Sequence, residues 1–165
     1  MLYLDLFRLL GRRQVRYVLV GGLALNLRGV ERATMDVDLA IALDRENISA
    51  MLDVAEELRL QPVAPMKLRD AADPETLARW RKEKGMVAFA LRPSAGIGPV
   101  VDVLVDLRVP FESLLERSTS RRIDDVDVVV ASIDDLIALK RAAGRPLDLA
   151  DVDALESIKR LGLDR

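Results

Sequence analysis

The 165-residue chain contains no cysteine and no histidine. The first absence excludes disulfides, zinc–thiolate sites and thiol nucleophiles. The second removes Ser-His-Asp catalysis, imidazole proton shuttles and histidine-ligated metals. Whatever chemistry the chain performs must rest on carboxylates, lysine, arginine, hydroxyls and metal ions. No apolar run approaches the roughly 20 residues that span a bilayer. The opening MLYLDLFRLLGRR lacks a basic start and carries Asp5 inside its apolar stretch, so it does not read as a secretory signal. A cytoplasmic protein with no membrane partner is the expectation. The net charge of −2 makes no global case for nucleic acid. Local basic clusters (Arg8, Arg12, Arg13 and Arg16; Arg79, Arg81, Lys82 and Lys84; Arg121 and Arg122) read first as solvated faces and second as contacts for an RNA or nucleotide tail.

Half of the residues are apolar and 32% are charged, an ordinary balance for a globular chain of a size that buries a core. With no repeat or linker, residues 1–165 read as one domain: a core at 15–131 and a C-terminal helical motif at 132–165. The informative stretch is 17–43, YVLVGGLALNLRGVERATMDVDLAIAL. Tyr17 to Val20 is a β-type run that stops at Gly21-Gly22. A helix expected over 23–28 would aim its free N–H groups at that turn, a ready site for phosphate. Glycine there lets a ligand approach the backbone. In a second strand, expected over 36–43, Asp36, Asp38, Ala40 and Ala42 face one way and Val37, Leu39, Ile41 and Leu43 the other. Two carboxylates side by side on a core strand need compensation. Mg²⁺ supplies it, taking oxygen ligands from one or two carboxylates plus substrate phosphates.

Elsewhere the pattern predicts helices over 2–12 (Leu2, Leu6, Leu9 and Leu10 on one side), 46–59, 74–84 and 111–117, and a short edge strand near 60–64 held to the edge by Pro62. Trp80 has two readings: an anchor for helix 74–84, or a base-stacking or partner-binding surface. Residues 86–92 and 99–107 form an expected antiparallel hairpin. In its second strand, Asp102 and Asp106 share a face amid valines, and mid-strand Asp102 is the stronger candidate for a third metal ligand. Val126 to Val130 is the last expected strand. Ser132 caps a helix over 133–143 whose apolar stripe includes Lys140, a lysine that either snorkels to solvent or reaches a triphosphate. Asp148 reads as the N-cap of the final helix and Asp151 as a first-turn acid.

Gly21-Gly22, Arg32-Ala33-Thr34 and Asp36-Val37-Asp38-Leu39 together resemble the signature of the polymerase-β-type nucleotidyltransferase superfamily, most of all its abortive-infection (AbiEii-like) branch. The second glycine stands where many relatives carry serine, so a phosphate contact at Gly22 would come from the backbone. Val101-Asp102-Val103-Leu104 is similar to the context of the family's third carboxylate. Lys140, Arg145, Asp148 and Asp151 are similar to its C-terminal motif, in which the lysine and first aspartate are functional. The resemblance implies an α/β (α+β) nucleotidyltransferase fold, a mixed twisted sheet flanked by helices with two helices at the C-terminus. It implies Asp36, Asp38 and Asp102 as ligands to two Mg²⁺, with Lys140 joining them in catalysis. Gly21, Gly22, Arg32, Thr34, Lys140, Arg145 and Asp148 would bind the nucleotide, Arg32 alternatively pairing with Glu31 or Asp36. The reaction implied is transfer of a nucleoside monophosphate from an NTP to an acceptor hydroxyl on tRNA or protein, in a toxin paired with a cognate antitoxin or a phage-defence system. Other readings of the same acids are a non-catalytic nucleotide- or partner-binding module and a phosphohydrolase or nuclease.

Overall fold

Leu6, Leu9 and Leu10 are buried along one side of the first helix, α1 (Leu2–Arg12), as their spacing requires. This is a computed structural model; it describes residues 2–164, and the side chain of Leu2 lies outside what is described. The first strand, β1 (Tyr17–Val20), is buried at every position and runs directly into α2 (Gly21–Leu27). The helix therefore starts two residues earlier than its composition suggests. Gly21, at φ +69°, makes the turn from strand to helix without a linking loop.

Then follow β2 (Val37–Ile41), α3 (Arg45–Glu57), β3 (Leu60–Pro62), a 3₁₀ turn over Leu68–Ala72, α4 (Pro74–Lys84), β4 (Ala88–Pro93) and β5 (Val101–Leu104). The chain continues through α5 (Phe111–Arg117), β6 (Thr119–Ile123), β7 (Val126–Val130), α6 (Ile133–Ala143) and α7 (Pro146–Leu161). Local chemistry explains several boundaries. Asp44 caps α3 by accepting from the Asn47 N–H. Asp73 caps α4 by accepting from Thr76, and Gly85 ends it in the left-handed region.

The seven strands form one mixed sheet in the order β3-β4-β5-β2-β1-β7-β6. β2 is antiparallel to β1 and parallel to β5, and the expected β4–β5 hairpin is antiparallel. β3 is an edge strand, where the missing N–H of Pro62 is tolerated. The opposite edge, β6, was not expected. Its TSRRI sequence is mostly exposed, so no apolar alternation marks it. It is held instead by pairing with β7 across a turn in which Asp124 adopts φ +52°. Trp80 is 8% exposed and packs into the core, with Lys84 over its ring. It is the anchor of α4, and a base-stacking role for it does not survive its burial.

Candidate functional site

Three strand ends meet where β1 stops. Val20 pairs with Asp38 across β1 and β2, and Asp38 pairs with Asp102 across β2 and β5. The strand carrying Asp38 is shorter than expected, so Asp36 precedes it and is exposed, while Asp38 is half-buried within it. Ala40 and Ala42 are packed in the core and open no space beside the acids. The glycines act differently from the expectation that they leave room for a ligand. A Cβ on Gly21 would lie 1.9 Å from Asp38 Oδ2, and one on Gly22 would lie 2.8 Å from Thr34 Oγ1. The space they free is filled by the protein's own Asp38 and Thr34 side chains.

Asp38 sits against the start of α2, and its carboxyl is pushed up to about 6. Burial is the main cause. The charges of Asp102 and Asp36 add to it, while Lys140 and a hydrogen bond from the Gly22 N–H oppose it. Asp102 is also raised, first by burial and then by Asp36. Asp106 lies beyond the end of β5 and is ion-paired to Arg81 at 3.3 Å. Asp102, unlike Asp106, forms no ion pair among the described residues, which leaves it the acid of the two that faces Asp38 uncompensated.

The C-terminal motif meets these acids from the helical side. Lys140 is buried and neither snorkels nor stands free: its Nζ lies 3.0 Å from Asp148 Oδ1 and 2.8 Å from Asp151 Oδ2. Asp148 is not the N-cap of α7. Pro146 begins the helix and Arg145 is its N-cap, so Asp148 is the third helical residue and accepts from the Arg145 backbone N–H at 3.3 Å. Arg145 Nε also donates to Asp148 Oδ2 at 2.6 Å. The Asp148 carboxyl is held down at about 2, chiefly by Arg145 and next by Lys140. Asp151 accordingly lies in the second turn of α7. Arg32 pairs with neither Glu31 nor Asp36; its Nη1 donates to Asp151 Oδ2.

A cavity of about 580 Å³ opens over this junction. Gly21, Gly22, Arg32, Thr34, Asp36, Asp38, Asp102, Lys140, Arg145 and Asp148 all line it, so every site residue expected from the sequence comes to one place. Val87, Leu104, Leu107 and Leu139 give it an apolar side. Two contributors were not among the expected site residues. Asp151 falls in the C-terminal motif but carries no expected role there. Tyr3 donates its hydroxyl to the Met35 carbonyl at 2.6 Å, pinning the segment that carries Asp36, and no sequence signal marks a contact 32 residues apart.

Among the described residues, no three His, Cys, Asp or Glu side chains form a ready-made metal cage. The donor set nevertheless suits a hard divalent cation. Three carboxylates line one cavity, and two of them, Asp38 and Asp102, hold their protons more tightly because of burial and neighbouring aspartates. Mg²⁺ is held by one or two carboxylates together with substrate phosphates and water, not by an all-protein cage.

Comparison with known proteins agrees with this architecture. The crystal structure of ANT(2")-Ia in complex with adenylyl-2"-tobramycin matches with a TM-score of 0.59 at 14% identity, over 97% of this chain and 92% of that one. The lincosamide antibiotic adenylyltransferase LnuA, lincomycin-bound, matches with a TM-score of 0.57 at 14% identity, over 92% of each chain. A putative nucleotidyltransferase (TM1012) from Thermotoga maritima matches with a TM-score of 0.53 at 16% identity, over 99% and 92%. At these identities the likeness establishes the nucleotidyltransferase fold. No curated protein matches the sequence. The profile described as "Nucleotidyltransferase of unknown function (DUF6036)" matches residues 4–165, spanning both the glycine–aspartate motif and the lysine–aspartate helices that close the cavity, and the chain belongs to that family.

Proposed function

We propose that the chain is a metal-dependent nucleotidyltransferase that moves a nucleoside monophosphate from an NTP to an acceptor hydroxyl. One observation carries the reading: Asp38 and Asp102 stand opposite each other across β2 and β5, next to the Gly21-Gly22 helix start, in a cavity that also holds Lys140. Asp36, Asp38 and Asp102 would hold two Mg²⁺, which supply positive charge to the triphosphate and acidify the attacking hydroxyl. The chain's own residues do the rest. Gly21 and Gly22 let Asp38 and Thr34 pack against the start of α2, and a phosphate contact there would come from the glycine backbone. Lys140, Arg32 and Arg145 line the wall that would offset phosphoryl charge, and Thr34 and Asp148 belong to the same wall. Asp102 would receive the proton of the acceptor hydroxyl. The hydroxyl oxygen forms a bond to the α-phosphorus as the bond to the bridging oxygen breaks, and pyrophosphate leaves with that electron pair.

Resemblance to the abortive-infection branch supports tRNA or protein as acceptor, and a toxin role with a cognate antitoxin. The antibiotics named for two structural neighbours, adenylyl-2"-tobramycin in one and bound lincomycin in the other, add small hydroxyl compounds to the acceptors worth testing. The test is incubation with Mg²⁺, each α-labelled NTP and tRNA, protein extract or aminoglycoside, beside an Asp36→Ala/Asp38→Ala control. Label moving to an acceptor only with the wild type supports the reading. Binding of NTP and Mg²⁺ without transfer to any acceptor favours a non-catalytic nucleotide-binding module. Release of free nucleotide without transfer favours a phosphohydrolase.

A further inference from the structure

Asp151 is 5% exposed, and its Oδ2 receives two cations from distant parts of the chain: Lys140 Nζ at 2.8 Å from α6, and Arg32 Nη1 from the segment before β2. Asp148, one turn earlier on α7, receives Lys140 and Arg145. Two aspartates thus stitch together three cations, and all three cations line the cavity. Donor counting gives the arrangement a consequence. An ammonium has three N–H donors; that of Lys140 donates one to Asp148 Oδ1 and is held beside Asp151 as an ion pair, so donors remain for a ligand. Arg32 has five donors, of which its side chain spends one on Asp151. The carboxylate therefore orients both cations without exhausting either.

We infer that Asp151 is a positioning residue for a triphosphate: it acts through Arg32 and Lys140, holding their remaining donors toward the phosphates. The inference rests on the nucleotidyltransferase reading of the same cavity. The ordinary alternative is an ion pair that merely docks α7, which would change stability and leave phosphate recognition alone.

A double-mutant cycle on binding separates the two. Dissociation constants for ATP and GTP with Mg²⁺, and for the matching nucleosides, are measured by calorimetry on the full chain as wild type, Arg32→Ala, Asp151→Asn and the double variant. Arg32→Ala is expected to weaken triphosphate binding by about tenfold in the wild type and by less than about twofold once Asp151 is asparagine, with nucleoside binding unchanged. Asp151→Glu keeps the charge but moves it by a methylene, and serves if Asp151→Asn does not fold. It is expected to weaken triphosphate binding about threefold at an unchanged melting temperature. Additive effects of Arg32→Ala and Asp151→Asn, equal losses for triphosphate and nucleoside, or wild-type binding by Asp151→Glu overturn the inference while the function stands, because the triphosphate has bound. A wild-type chain that binds no triphosphate overturns the proposed function, and this inference with it.

Discussion

On the sheet side of the cavity, Asp38 and Asp102 stand opposite each other without an ion pair among the described residues, and both carboxyls are raised. On the helix side, Asp148 and Asp151 share Lys140 and take an arginine each, and Asp148 is held down at about 2. The four residues are chemically identical, and they line or border one cavity. What differs is whether the surroundings compensate the charge. A compensated aspartate stabilises the fold. An uncompensated one is kept at a cost to stability, which is the condition expected of a group reserved for a ligand. The helix-side pair builds the wall, and the sheet-side acids are left for what enters.

The sharpest break in this comparison is Asp38→Asn. It is expected to lower nucleotidyl transfer by about a thousandfold or more, measured with labelled NTP, and to raise stability at pH 7 by about 1–3 kcal/mol, measured by thermal melting. The sign follows from the raised folded pKa. The folded state holds the Asp38 proton more tightly than the unfolded chain, so wild-type stability falls as pH climbs from about 4 through 6. The advantage of the asparagine variant should open over that window.

Asp148→Asn should do the opposite to stability. It leaves the buried Lys140 with one carboxylate and Arg145 with none, at an expected cost of about 3 kcal/mol in denaturant unfolding. Because the Asp148 carboxyl is depressed, its contribution is present above about 4 and is lost as pH falls toward 2. The two variants' pH profiles should therefore run in opposite directions. Coincident profiles would show that the two sides of the cavity do not differ as described.

Gly21→Ala should cost about 1–3 kcal/mol by melting, since alanine must adopt φ +69° and its Cβ would displace the Asp38 carboxylate. Asp106→Asn should be the mildest, within about 0.5 kcal/mol, because it removes only a half-exposed pair with Arg81. An Asp106 variant that loses transfer as completely as an Asp102 variant would reverse the assignment of the third carboxylate.

Much of the fold was legible because its signals are local. β1 follows from a β-type run ended by Gly21-Gly22, β2 and the second strand of the β4–β5 hairpin from two-residue alternation, and α4 and α6 from the caps Asp73 and Ser132. Strand β6 was illegible because an exposed, polar edge strand leaves no periodic trace and takes its conformation from β7. The start of α7 was misplaced because Asp148 suits an N-cap by type, whereas Pro146 at the first helical position sets the N-cap three residues earlier, at Arg145. Among site residues, the family resemblance grouped the glycines, Asp36, Asp38, Asp102 and Lys140, and all of them line the cavity.

What residue type and short spacing mark in the sequence is therefore a set of candidate groups: an Asp-x-Asp beside a Gly-Gly turn, and a lysine eight residues before an aspartate. Tertiary structure decided which of those groups are neutralised. Arg32 and Asp151 are 119 positions apart, and only the packing of α7 against the segment before β2 makes them partners. Gly21 and Asp38 are likewise far apart in sequence, and only the β1–β2 register sets the carboxylate where a methyl group would have been. Burial and charge pairing act through space, at distances of a few ångströms, and chain spacing does not encode them once the separation exceeds a helical turn or a hairpin.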